Sequence, residues 1–263
     1  MTRIELPGGD VVGIRAENPS PFTLSGTNSW IVGRDPAYLV DPGPAIDSHL
    51  DALAAEIKAR GGLGGVALTH DHHDHSEAVP AVRERFAGVP VAAARGDVEV
   101  LLGDGDVFGP LVALATPGHS PDSLTYLVGP MALTGDAVLG EGSVFIYPDP
   151  GALAGYLNGL RALRELDLAA IGPGHGPAVA DPGGKLEQYI AHRLDRGRRL
   201  VAALDDGLRS ADELLDRVWD DAPAILRPAA AATLAAHLDK LADEGRLPPG
   251  VERPEPWEAL RGV

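Results

Sequence analysis

The chain has 263 residues, 44% of them hydrophobic, with 33 glycines and 23 prolines, enough for one full core and a small second module joined by many turns. A net charge of −16 repels phosphate backbones and argues against strong nonspecific nucleic-acid binding. The lack of cysteine excludes disulfides, thiolate ligands and a cysteine nucleophile; no stretch has the length or apolarity of a membrane span or signal core, so a soluble cytoplasmic protein is expected.

In chain order, short apolar runs predict strands at 11–15, 29–32 and 38–40. Apolar residues at Ile46, Leu50, Leu53 and Ile57 mark one face of a helix over 46–60. A buried strand at 65–68 enters a polar loop, and a helix is expected over 77–86. Further strands are read at 91–93, 107–108, 111–115, 124–128 and 131–133. Asp149 followed by Pro150 reads as an N-cap with proline at the first helical position, for a helix running to about Glu165. A last strand at 169–171 leads into a Gly/Pro-rich loop. Beyond Asp181-Pro182-Gly183-Gly184 helical patterns dominate, at 185–204, 211–219 and 229–244, and Ser210 to Glu213 has capping-box spacing. Hairpins interleaved with helices predict an α/β sandwich of two sheets with helices outside. The boundary is placed near Gly183, giving a domain over 1–182 and a helical module over 183–263.

Thr69-His70-Asp71-His72-His73-Asp74-His75-Ser76 packs four histidines and two aspartates into six positions directly after a buried strand. Such density is costly as core, because every ring and carboxylate needs a partner. Imidazole with carboxylate suits zinc, and also iron or manganese. Three later residues sit in glycine-containing loops after apolar runs: His119 in Thr116-Pro117-Gly118-His119-Ser120, Asp136 in Thr134-Gly135-Asp136, and His175 in Gly172-Pro173-Gly174-His175-Gly176.

This order of motifs resembles the metallo-beta-lactamase superfamily, with H-x-H-x-D-H followed by His, Asp and His in separate loops. The resemblance implies the αββα fold and two metals, zinc first. It assigns His70, His72 and His119 to one metal, Asp74, His75 and His175 to the second, and Asp136 to both; His73 and Asp71 fall at variable positions. Further segments are similar to the beta-lactamase-like protein 2 family. These are 18–30, Val138-Leu139-Gly140-Glu141-Gly142-Ser143, Gln188-Tyr189-Ile190-Ala191-His192-Arg193, 235–241 and Glu244-Gly245-Arg246. That family implies a C-terminal winged-helix-like module. Asp41, at a strand end before Pro42-Gly43, is expected to hydrogen-bond a ligand histidine, with Ser120 and Asp122 doing similar work near His119. Phe22, Ser143, Phe145, Tyr147, His192 and Arg193 are candidate substrate contacts. His49 and His237 are expected on helix faces without catalytic roles.

Two metals about 3.5–4 Å apart can share a water and lower its pKa from about 15.7 toward 7, giving a bridging hydroxide that Asp74 and Asp136 would aim. The expected activity is hydrolysis of a thioester or acyl ester, of the glyoxalase II or acyl-carrier type, on a small-molecule or carrier-bound acyl substrate. The basic stretch Lys185, Arg193, Arg196, Arg198 and Arg199 would touch the carrier. A single-strand endoribonuclease is the runner-up, but only 5% of residues are aromatic and such an enzyme needs stacking platforms on a basic path. Weak beta-lactamase or lactonase activity is a third reading. A DNA-binding regulator is disfavoured because 211–219 carries Asp212, Glu213 and Asp216 rather than a basic recognition helix. A homodimer is a further arrangement open to the module.

Overall fold

A computed structural model describes residues 2–7 and 10–255. The first sheet runs through β1 (Thr2–Glu5), β2 (Val11–Arg15), β3 (Asn28–Val32) and β4 (Ala37–Val40) as antiparallel neighbours. The chain crosses by α1 (Asp47–Ala59) to β5 (Leu63–Ala67), parallel to β4. Short α2 (His73–Ser76) and α3 (Val79–Arg85) lead to β6 (Val91–Ala93) and β7 (Val100–Leu101), both added in parallel. The helix expected over 77–86 is the second of these, starting two residues later, and the first lies within the stretch expected as a polar loop. Pro80, which brings no N–H, sits in the first turn of the second.

The second sheet has the order β12-β11-β10-β9-β8. Its strands are β8 (Val107–Phe108), β9 (Leu111–Ala115), β10 (Leu124–Val128), β11 (Met131–Gly135) and, after α4 (Ala152–Arg164), β12 (Ala170–Pro173). Asp149 does not cap α4, and Pro150 is not its first residue. Gly151, in the left-handed region at φ 74°, holds the N-cap position, so the chain makes one more turn before the helix starts.

Side chains alternate across the strands and build three layers of core. Trp30, Val32, Val40 and Ala67 face Tyr126, Met131, Leu133 and Ala170 between the sheets. Ile31, Leu39 and Val66 point the other way, onto Leu50, Leu53 and Ile57 of α1 and Val82 of α3. Ala132 and Ile171 meet Leu153, Tyr156, Leu157 and Leu160 of α4 on the far side. The result is the αββα sandwich.

Helix α5 (Pro182–Asp205) starts with Asp181 accepting from Gly184 N, so Gly183 lies in its first turn. Its first half, through Leu186, Tyr189 and Ile190, belongs to the core over the second sheet. Its second half, through Leu200, Ala203 and Leu204, packs with α6 (Ala211–Val218) and α7 (Arg227–Asp243). The Ser210–Glu213 capping box is present, a feature that stabilises a helix start by about 1 kcal/mol.

Two histidines away from the cluster are buried. His237 packs on Trp219. His49 of α1 reaches Ser29 Oγ at 2.9 Å under the first sheet. Burial lowers the His49 pKa from 6.5 to about 4. Its neutral form is the one the fold accepts, so its contribution to stability is present above 6.5 and is lost as pH falls toward 4. His49→Gln is expected to flatten the fall in Tm across that window, read by circular dichroism melts at stepped pH; an unchanged slope would count against this assignment.

Candidate metal centre

Five strands deliver the polar cluster, each at its C-terminal end. Asp41 follows β4, His70 to His75 follow β5, His119 follows β9, Asp136 follows β11 and His175 follows β12. Cross-sheet bonds fix these loops to one another. Leu124 N donates to Thr69 O at 2.7 Å, Asn28 N to Gly174 O at 2.7 Å, Tyr126 OH to Leu68 O at 2.8 Å and Trp30 Nε1 to Pro173 O at 3.1 Å. Glycine is required where backbone meets the cluster. A Cβ on Gly174 would stand 2.4 Å from Asp136 Oδ1, and one on Gly135, at φ 48°, 2.3 Å from Thr69 Oγ1.

The donor atoms gather in overlapping groups. Ring nitrogens of His70, His72 and His119 lie within 4.8 Å of one another, as do donors of Asp74, His75 and His175, and of His70, His75 and Asp136. His72 Nδ1 is 3.0 Å from His119 Nε2, and His75 Nε2 is 3.3 Å from His175 Nε2. Asp136 lies between, with Oδ2 at 3.6 Å from His119 Nε2 and 3.3 Å from His175 Nε2, and Oδ1 at 3.5 Å from His75 Nε2. Asp74 Oδ2 is 3.2 Å from His175 Nε2 and accepts from Thr27 Oγ1 at 3.0 Å. His73 is turned away, 75% exposed and paired with Glu77.

The outward nitrogens are held by hydrogen bonds, which aims the other nitrogen inward. His75 Nδ1 donates to Asp41 Oδ2 at 2.9 Å. His70 Nδ1 meets Thr69 Oγ1 at 3.0 Å, and that hydroxyl donates to Asp41 Oδ2 at 2.7 Å. His119 Nδ1 faces Phe145 O at 3.3 Å and His175 Nδ1 faces Gly26 O at 3.4 Å. This is the arrangement that orients metal-bound imidazoles. His70 Nε2 and Asp136 Oδ1 are buried with no hydrogen-bond partner. Orphaned donors of this type aimed at one point are costly unless something fills that point, and the donor set of neutral imidazole and carboxylate fits a divalent metal.

Electrostatics split the cluster. Burial lowers His70 well below its ordinary value and takes His119 down to about 3. Burial also works against the charged form of His75, but Asp74, Asp41 and Asp136 outweigh it and raise that ring to about 9. His175 likewise rises against burial to about 10, through Asp136 and Asp74. Both carboxylates, although burial opposes it, are held below their usual range by these rings. These opposed shifts favour the charged forms of His75 and His175 beside the carboxylates, and a cation bound to those rings would displace protons from them.

A cavity of about 440 Å³ opens over the cluster, walled by Phe22, Leu24, Ser143, Phe145, Leu226 and Ala229. Leu226 and Ala229 come from the C-terminal module and were missed by sequence reasoning, as were Thr69 and Thr27, which hold cluster residues. Only for Thr69, adjacent to His70, did the sequence offer a signal. Several expected contacts are corrected. Tyr147 points into a separate hollow with Pro117 and Pro150, because its N–H is pinned to Gly118 O at 2.8 Å. Ser120 bonds Ser123 Oγ at 2.7 Å and Asp122 accepts from Asp71 N at 3.0 Å, so both brace loops and neither touches a histidine ring. His192 and Arg193 line the neighbouring cavity; Arg193 is buried and bonds Ser143 Oγ and Val144 O. The basic stretch is spent internally: Lys185 on Gly140 O, Arg196 on Asp221, Arg198 on Asp195 and Arg199 on Asp220.

The chain matches the model of the Metallo-beta-lactamase superfamily over residues 22–102 and 90–175, and that of the Beta-lactamase associated winged helix domain over 210–247. It is 30% identical over 261 residues to a Beta-lactamase-like protein 2 homolog of Caenorhabditis elegans, covering 92% of this chain and 87% of that one. It is 33% identical over 208 residues to an Atrochrysone carboxyl ACP thioesterase of Aspergillus chevalieri, covering 74% of this chain and 65% of that protein. The crystal structure of a beta-lactamase domain protein from Burkholderia ambifaria superposes with a TM-score of 0.76 at 19% identity, over 93% of this chain and 90% of the other. The donor cluster, the sandwich and these matches agree: the chain belongs to the metallo-beta-lactamase superfamily, carries the winged helix domain associated with it, and is a metal-dependent hydrolase.

Proposed function

We propose that the chain hydrolyses acyl thioesters, small or carrier-bound, with a pair of divalent metals, zinc first and iron or manganese as substitutes. His70, His72 and His119 would hold one ion, Asp74, His75 and His175 the other, and Asp136 both. The observation that carries this is the placement of Asp136, whose two oxygens lie 3.3–3.6 Å from ring nitrogens of both groups. When bound, the metal pair supplies Lewis acidity and lowers the pKa of water from about 15.7 toward 7.

The chain's own residues do the rest. Asp41, Thr69 and the carbonyls of Phe145 and Gly26 keep four rings from rotating. Asp136 and Asp74 offset part of the dications' charge. Asp74, 23% exposed, is the carboxylate of the pair more open to the cavity. Phe22, Phe145 and Leu226 limit water at the reacting carbonyl.

Leaving-group chemistry favours a thioester. A thiolate, with a conjugate pKa near 8.5, departs without help, whereas an amine or alkoxide needs a proton. Among the described cavity residues outside the proposed ligand set, the ionisable groups are the exposed Glu141 and His73, and His73 is turned away onto Glu77. The thioesterase named among the relatives supports the same choice.

Purified chain loaded with zinc is expected to hold about two metals, measured by elemental analysis, and to cleave acyl thioesters of a small thiol faster than lactams, lactones or labelled single-stranded RNA. Metal uptake with efficient RNA cutting and no thioester cleavage would overturn the substrate assignment. A chain that takes up no metal would overturn the site.

A further inference from the structure

A second cavity of about 600 Å³ lies between the catalytic domain and the C-terminal module. It shares one wall with the metal cavity: the loop from Gly142 to Phe145, with Leu226 and Ala229. Phe145 stands in that wall. Its ring edge packs on His119 at 4.8 Å between centroids and on Phe22 at 6.5 Å. A carbonyl at the metal centre is therefore one aromatic ring away from a second, larger space. Each volume is of the size that takes a small organic group.

The lining identifies what fits. Trp219, Tyr189, Leu226, Ala229 and Ala230 present apolar surface. The two guanidinium groups there are engaged: Arg196 with Asp221 and Val218 O, and Arg193 with Ser143 Oγ and Val144 O. Arg196 is offset by Asp221, whereas Arg193 bonds only neutral oxygens, and its Nε is buried with no hydrogen-bond partner. His192, lowered to about 4 by burial and by both arginines, adds no charge at neutral pH. Arg193 is then a single positive point beside the Ser143 wall, and over the rest of the cavity an apolar chain would exchange water for carbon surface.

We propose that the interdomain cavity is the acyl chamber of this enzyme, which selects substrates whose acyl group is long or bulky and largely apolar and threads past Phe145 while the thiol arm leaves through the mouth. The assignment of an acyl occupant rests on the thioester reading; the chamber itself is tested without it. Gln188 lies on the exposed face of α5 and Ala222 in the loop after α6, and both line this cavity and not the metal one. Gln188→Trp and Ala222→Trp therefore fill the chamber from two sides without touching the metal cluster.

Zinc-loaded wild type and both variants would be assayed on acetyl and decanoyl thioesters of N-acetylcysteamine. Wild type should prefer decanoyl. The variants should lose about tenfold or more in kcat/KM for decanoyl while keeping acetyl turnover, since a lost hydrophobic subsite is read directly as kcat/KM discrimination. Decanoate binding, followed by tryptophan fluorescence, should saturate in wild type and weaken in the variants, whether or not any thioester is cleaved. Decanoate binding without thioester cleavage would sink the thioester reading and leave the chamber standing. Equal loss on both thioesters, or wild-type decanoate binding in both variants, would overturn the chamber.

Discussion

Asp136→Ala is expected to lower kcat/KM for thioester hydrolysis by about a thousandfold or more while the fold persists. The side chain belongs to none of the apolar clusters, and its neighbours are ring nitrogens on loops held by other bonds. What the substitution removes is the one carboxylate near both donor groups, at 3.6 Å from His119 and 3.3 Å from His175. Loss of a single group that stabilises developing charge costs about 10²–10³, and here retention of the second metal goes with it. Metal content should fall from about two to about one per chain. The melting temperature in chelator should move by no more than about 4 °C, the shift of roughly 1 kcal/mol at this size. Full activity in the variant, or retention of both metals, would remove Asp136 from the centre.

The second large effect concerns a residue that touches no substrate. Asp41 accepts three hydrogen bonds: Thr69 N on Oδ1 at 2.7 Å, and Thr69 Oγ1 and His75 Nδ1 on Oδ2 at 2.7 and 2.9 Å. Its backbone is in the left-handed region at φ 53°, where asparagine is tolerated. Asp41→Asn therefore keeps shape and backbone while it removes one negative charge and turns one acceptor into a donor. The amide NH₂ must face either Thr69 N–H or the Thr69 and His75 donors, so donor meets donor. A buried donor left unmatched costs about 1–3 kcal/mol. With His75 free to turn, zinc affinity should fall about 10–100-fold, the usual loss when an outer partner of a ligand histidine is removed. Competition with a fluorescent chelator reads this directly. The signature of a positioning role is that kcat at saturating zinc recovers most of its wild-type value; a kcat that stays low at every zinc concentration would point to direct chemistry instead.

The sandwich was legible because its strands are short alternating runs whose ends coincide with glycine-bearing polar loops. The predicted bounds of β2, β6, β8, β9 and β10 match the observed strands. The cluster was legible for the same reason: each donor lies in the segment that directly follows a strand, the densest of them between β5 and α3. Tyr147 was expected at the cavity mouth with Phe22 and Phe145, but its N–H turns onto Gly118 O and carries the ring into a separate hollow. Leu226 and Ala229 left no mark near the motif, since they reach the cavity only after α5 has carried the chain back across it. Arg193 and Arg196 read as surface charge because arginine in a helix is ordinarily exposed, yet both are buried and bonded to backbone carbonyls and to side chains of neighbouring loops.

Helix α5 lends its first half to one core and its second half to another, and within the first Tyr189 OH accepts from Leu139 N at 3.1 Å. The two parts are thus mortised rather than strung together. Excising the tail at Gly183 would strip Leu186, Tyr189 and Ile190 from the enzyme's own roof, so recombination that exchanges this tail between relatives carries part of that roof across with it.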